Sequence, residues 1–266
     1  METIDLDSWE AFEKSLSSFF AQWNKRTKDK LPEFISAPLF RGQSNASWRL
    51  ETTLERFTNH TFSTFDYYRA IRRVMPAVVT ITQKEWSLPR FEKGVGGMAP
   101  TGYEFMVYLR HHGFPSPLLD WTRSPYVAAF FAFRSPQVTE HERVAIYFYV
   151  EYPEGSRGSC VGTPIVHGLG PYVETHKRHY AQQCEYTVCE KEVGDERVYV
   201  SHEAAFSNDA LDQGELKKYT LPTNERRNVL KQLQRMNVTS FSLFGNEESL
   251  METLAYQEIE DTGETD

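Results

Sequence analysis

Apolar positions recur along the chain in two periods, and each predicts a different kind of element. Trp9, Phe12, Leu16, Phe19, Phe20 and Trp23 form one stripe at helical spacing, with Asp7 or Ser8 placed to cap it. The polar run Asn24–Lys30 behind it reads as a solvated loop. A strand is predicted through Phe34–Phe40, with Pro38 near an edge, then a turn at Ser44–Ser47 and a short buried piece at Trp48–Leu50. Tyr67, Tyr68, Ile71, Val74, Met75 and Val78 predict a helix through residues 65–86, capped by Thr64 and kinked or split at Pro76.

Gly94–Pro100 reads as a flexible loop. It has the glycines of a phosphate cradle but lacks the Lys and Ser/Thr that would make it one. Thr101 and Glu104 have capping-box spacing, for a helix that runs to about His112 and stops at Gly113. Ser124-Pro125 opens the next helix, and Tyr126–Phe133 is apolar all round, so that helix should be buried. Val144–Val150 is continuous and β-prone, as a central strand would be. Tyr186–Cys189, Arg197–Val200 and Lys218–Pro222 are further strands. A helix carrying Val229, Leu230, Leu233 and Met236 follows, then a last strand at Val238–Phe244.

No repeat or long linker divides the pattern. The expectation is one α+β domain over residues 1–266: an N-terminal helix and loop (1–30), a core of a mixed sheet with flanking helices (34–256), and a frayed acidic tail (257–266).

Composition narrows the setting. Aromatics make up 14% of the chain, far too many for a disordered one. Three Cys cannot form a disulfide framework, which suits a reducing cytoplasm. No run of about 18 apolar residues exists to span a membrane, and the acidic start METIDLDSWE is not expected to act as a signal peptide. A net charge of −8 argues against a sequence-blind grip on nucleic acid.

Several residues could carry chemistry. Arg41 follows a strand and precedes a glycine. Its guanidinium could hold a phosphate or carboxylate, with Gly42 letting a ligand approach, or it could pair with a structural acid. His111 and His112 diverge by about 100° on a helix and cannot share a metal, and no acid or Cys stands at ligand spacing, so no metal site is expected. Either one caps the helix and the other packs, or one lines a pocket. Asp120 could orient an Arg or His, and Thr122 could donate to a ligand, or both could satisfy local backbone groups. Glu185 could touch a ligand hydroxyl or lie exposed. Cys160, Cys184 and Cys189 lack the setting of a nucleophile.

Together these pieces resemble the bacterial FRG domain family, named for Phe-Arg-Gly. Phe40-Arg41-Gly42-Gln43, with Trp48, Leu50, Leu54, Arg56 and Phe57, resembles its opening block. His111–Pro115, Leu118–Thr122, Ser124-Pro125 and Ala128–Ala132 resemble its central block. Arg178, Gln182 and Tyr186 resemble a third, and Met236–Val238 with Ser242–Phe244 a closing one. The family usually has Gln where Arg110 stands, Thr-Arg where Ser116-Pro117 stands, and Gly where Cys184 stands. The last exchange asks for a different backbone conformation there.

A more distant resemblance is to ADP-ribosyltransferases, in the order strand-Arg-Gly, a Thr segment before an Ala/Phe-rich helix, then a late Gln or Glu. It implies an ADP-ribosyltransferase-like fold with NAD as substrate and no metal. Arg41, Gly42, Gln43, Trp121, Thr122, Gln182 and Glu185 would then bind it, with Arg41 on the pyrophosphate or ribose, Trp121 as a stacking wall, and Gln182 or Glu185 at the nicotinamide ribose. Arg41, His111, His112, Asp120, Thr122 and Gln182 are the candidate catalytic residues. The expected function is an NAD-dependent ADP-ribosyltransferase or NAD glycohydrolase, a toxin or an effector of antiviral defence. The expected partners are a nucleotide-type small molecule and a protein target, with no membrane. The alternatives are a non-catalytic nucleotide-sensing or protein-interaction domain, or a nuclease using the paired His.

Overall fold

In the strand β4 (Arg143–Val150), Val144, Ile146, Phe148 and Val150 pack into one apolar cluster, while Ala145, Tyr147 and Tyr149 pack into another. Both faces are covered, so the segment is continuously hydrophobic rather than alternating. The computed structural model describes residues 1–29, 36–92, 99–153, 162–175, 177–206 and 214–260. Among them one mixed sheet runs through β1 (Glu2–Asp5), β2 (Leu39–Gln43), β3 (Leu119–Thr122), β4, β5 (Ile165–Gly168), β6 (Cys184–Val193), β7 (Glu196–Tyr199) and β8 (Glu215–Pro222). The order is β1-β8-β4-β2-β3-β6-β5, with β7 also on β6. β1 and β8 pair parallel, and the other pairs are antiparallel. The mixed sheet with flanking helices is the architecture the apolar pattern predicts.

Helices α1 (Trp9–Thr27), α5 (Pro125–Phe133) and α8 (Arg226–Arg235) cover one side of β4 and β8. Helices α3 (Thr64–Thr82) and α4 (Tyr103–His111) pack against Cys184, Tyr186 and Val188 of β6. Between them lie short helices α2 (Thr53–Phe57), α6 (Lys177–Ala181), α7 (His202–Ala205) and α9 (Ser240–Phe244), and near the end α10 (Glu247–Ala255). No helix among the described residues is long and apolar enough to cross a membrane.

Several local expectations change. Ser8 caps α1, but the helix continues through Asn24–Thr27, where Lys25 and Arg26 suit its negative C-terminal end. Ser63, not Thr64, caps α3, and the helix passes through Pro76. Pro76 and Arg72, whose carbonyl loses its donor, are both exposed, so water can serve that group. The Thr101 box does not form: Gly102 caps α4 at φ +85°, and the Thr101 hydroxyl bonds the Glu92 backbone. Trp48–Leu50 has no regular structure, though Leu50 is buried and its N–H donates to Glu203.

The expected last strand is helix α9, because Thr239 and Ser242 cap each other reciprocally and Gly245 ends the turn at φ +60°. Residues 257–260 do not fray. Tyr256–Glu260 makes a π-helical turn, and Arg226 holds the Glu260 carboxylate. The glycine loop's residues 93–98, Phe34, Ile35 and Cys160 lie outside the described residues.

Gly42 is needed for a different contact from the one its sequence suggests. A Cβ there would lie 1.9 Å from the Ala128 carbonyl oxygen and 2.6 Å from the Ala132 nitrogen. The backbone that comes close is therefore that of α5, seated directly on β2. The Ala-rich stretch Ala128–Ala132 and Gly42 are two halves of one helix–strand contact.

Candidate functional site

β2 is laced to β4 over five register pairs but to β3 through one, Phe40–Thr122. Where β2 and β3 are not laced, the Asp120 carbonyl accepts from the Arg41 guanidinium at 2.8 Å. A cleft of about 360 Å³ opens at this place.

Its chemistry is dominated by cations. Arg41 (β2), Arg56 (α2), Arg110 (α4) and Arg178 (α6) line it, against one carboxylate, that of Asp120. Arg110 donates to Asp120 Oδ2 at 2.5 Å. Burial pushes the Arg41 pKa down to about 10; Asp120 opposes that shift, and Arg110 and Arg56 add to it. Arg41 therefore remains charged at neutral pH. Arg41 Nε, Arg110 Nε, Asp120 Oδ1 and Gln43 Oε1 are buried and have no partner among the described residues. Groups of this kind are costly to leave unpaired, and four of them meet at one cleft.

The structure brings most of the sequence candidates together. Arg41, Gly42, Gln43, His111, Asp120, Trp121, Thr122 and Gln182 all line the cleft. His111 and His112 separate as helix geometry requires. His112 packs on Tyr108 with ring centroids 4.1 Å apart, and its Nδ1 lies 2.8 Å from the Tyr108 carbonyl. Glu185 is not in the cleft. It stands in register with Trp121, and Arg123 holds its carboxylate.

Thr122 and Gln182 are occupied with each other's surroundings. The Thr122 hydroxyl donates to the Gln182 carbonyl at 2.7 Å and accepts from the Ser124 N–H at 3.1 Å. The Gln182 amide donates to the Leu243 carbonyl at 3.1 Å, which ties the start of β6 to α9. Cys184, expected to differ in backbone conformation from the usual glycine, begins β6 in ordinary strand geometry, and the positive φ falls on its neighbour Gln183, at +50°.

Residues 36–141 match the family model of the FRG domain. Neither the comparison with curated proteins nor that with solved structures gives a match. The FRG match spans β2 to the 3-10 turn after α5, so it contains Arg41, Arg56, Arg110, His111 and Asp120. Arg178, Gln182 and Tyr186 lie beyond it, and the ADP-ribosyltransferase resemblance draws no support from it. Within the FRG segment Arg110 is the informative departure. It replaces a usual Gln and adds a charge to the cleft, so the exchange was itself the sequence signal that spacing alone did not give.

Trp121 is only 3% exposed and packs against Tyr149 at 5.5 Å, so the core takes much of the proposed stacking wall. Its indole N–H donates to Thr187 Oγ1 at 2.7 Å, and that hydroxyl lies 2.9 Å from His202 Nε2. The Thr187 hydroxyl thus links Trp121 to His202, whose ring is held neutral. Burial, helped by the positive charge of Arg41, lowers the His202 pKa from 6.5 to about 3. Between those values the native state binds fewer protons than the unfolded chain, so stability rises with pH across that window. Acidification should cost His202's contribution at up to about 1.4 kcal/mol per pH unit. Urea unfolding at pH 7, 6, 5 and 4 should therefore show a steeper acid loss for the wild type than for His202→Gln. Equal slopes would remove His202 as the cause.

Proposed function

We propose that the cleft binds a phosphate-bearing nucleotide, NAD first, and that the protein uses NAD as an ADP-ribosyltransferase or NAD glycohydrolase. The observation that carries this reading is the convergence of four arginines on one small cleft of a chain with net charge −8. Guanidinium groups bind phosphate by paired hydrogen bonds, and the Nε groups of Arg41 and Arg110, without a partner among the described residues, are donors that a ligand could use. A single site of this kind holds a dinucleotide without any basic surface.

Cleavage of the nicotinamide–ribose bond builds positive charge on the ribose. Asp120 is the carboxylate in the cleft, and its Oδ1 has no partner among the described residues. It takes the charge-stabilising role that the resemblance offered to Gln182 or Glu185. The phosphates would be held by the arginines, and that anchoring places the ribose by preorganisation. An activity of this kind inside a bacterial cell would make the protein a toxin or a defence effector.

The test is calorimetric titration with NAD and ADP, together with chromatographic assay of nicotinamide release. Asp120→Asn should retain NAD binding and lose release by about 100-fold or more, the scale of one electrostatic group in a transition state. Absence of both binding and release would overturn the reading. The nucleotide-sensing reading is favoured by the 2.5 Å Arg110–Asp120 ion pair, which already neutralises the carboxylate in part. Tight binding with no nicotinamide release selects it.

A further inference from the structure

His111, His179 and Cys184 come together across the edge of the cleft, from α4, α6 and the start of β6. Their donor atoms all lie within 4.8 Å of one another. His111 is 68 positions from His179 and 73 from Cys184 along the chain, so no local spacing could reveal the group. The Tyr186 hydroxyl stands among them, 2.7 Å from His111 Nε2 and 3.1 Å from His179 Nδ1.

We propose that these three residues bind one divalent transition metal of the zinc class. His179 carries the clearest sign. Its Nε2 lies 3.1 Å from the Pro171 carbonyl, an acceptor, so the proton of the neutral ring belongs on Nε2 and the Nδ1 lone pair is turned to the Tyr186 hydroxyl, which also meets His111. A ring nitrogen fixed by a backbone carbonyl, with the other turned inward, is how ligating histidines are usually supported. The ligand types also suit: two imidazoles and a thiolate are a borderline-soft set that selects zinc, cobalt or copper over magnesium or calcium.

Tetrahedral bonds of about 2.0–2.3 Å place neighbouring donors roughly 3.5 Å apart. The group must therefore tighten by about 1 Å, which the turn at Gln183 between His179 and Cys184 can absorb. Three protein ligands leave a fourth position. Cys184 and His111 line the arginine cleft, while Cys184 and His179 line a larger neighbouring one beside Trp86 and Glu174. The metal would sit in the wall between them, with Tyr186 or a water as its fourth ligand. Binding exchanges the Cys184 S–H bond for a metal–sulfur bond and releases one proton to solvent.

The experiment uses the full chain, stripped with chelator and dialysed against Zn²⁺ or Co²⁺, with metal counted by elemental analysis. One equivalent of Zn²⁺ retained, and a thiolate-to-cobalt charge-transfer band in the wild type with Co²⁺, are the expected results. That band reports sulfur ligation without any variant. Cys184→Ser should abolish it, and His179→Gln should weaken Zn²⁺ binding by more than the roughly 10–100-fold typical of losing an outer-shell partner. No stoichiometric metal, or binding unchanged in both variants and no charge-transfer band, overturns the proposal. Neither readout involves NAD, so the nucleotide reading stands or falls separately.

Discussion

Replacing Gly42 with alanine is expected to cost the domain about 3 kcal/mol or more, among the larger losses a single methyl can cause. The added Cβ would stand 1.9 Å from the Ala128 carbonyl oxygen and 2.6 Å from the Ala132 nitrogen. Neither atom can move alone, since both belong to the backbone of α5, whose Ala128, Ala129, Ala132 and Phe133 are fully buried. Relief requires the whole helix to lift from β2, which would open the cluster of Phe40, Ile146, Phe148 and Leu221 behind it. For a domain of this size that corresponds to a melting temperature lower by roughly 6–12 °C.

Gly113→Ala is the matched control. Gly113 has φ +86° with no atom of the described residues within 4 Å of its Cβ position, so only backbone strain of about 1 kcal/mol is added. A Gly42→Ala protein as stable as Gly113→Ala would show that α5 does not rest on β2 as described. Because the helix also carries Ala128 and Phe131 into the cleft lining, the variant should lose ligand binding along with stability.

The case of Gly42 also shows where a sequence stops being readable. Its presence beside Arg41 is a local fact, and the resemblance names both. The reason for it is a helix more than eighty positions away, which no local period encodes. The same division runs through the molecule. Strand β4 and helix α5 were legible because burial on all sides writes a long apolar run. Helix α9 was misread because Val238–Phe244 is apolar enough for a strand, and the deciding signal was the reciprocal Thr239–Ser242 cap. At the cleft, Arg41, His111 and Asp120 stood in recognisable motifs. Arg110 stood as an unexplained departure, and His179 gave no signal, since its partners are set by tertiary packing.

Arg41→Gln is expected to separate ligand binding from stability. A charged donor lost from a phosphate site costs about 2–3 kcal/mol, so ADP or NAD affinity should fall by roughly 30–150-fold. Stability should change little or rise. Arg41 has lost most of its hydration, its Nε has no partner among the described residues, and Arg110 and Arg56 repel it. Against those costs stand the 2.8 Å bond to the Asp120 carbonyl, which a glutamine amide can partly replace, and attraction to the Asp120 carboxylate. A group kept for function is often held at a cost in stability, so its removal is neutral or stabilising, whereas removing one partner of a structural ion pair costs several kcal/mol. A cleft that keeps repelling charges together at the expense of stability is organised for an anion that relieves the repulsion. Saturating ADP should therefore raise the melting temperature of the wild type and leave Arg41→Gln nearly unmoved. Calorimetric titration and thermal unfolding of the two proteins check both halves. A variant that is several kcal/mol less stable, with ADP affinity within about threefold of wild type, would return Arg41 to a purely structural role.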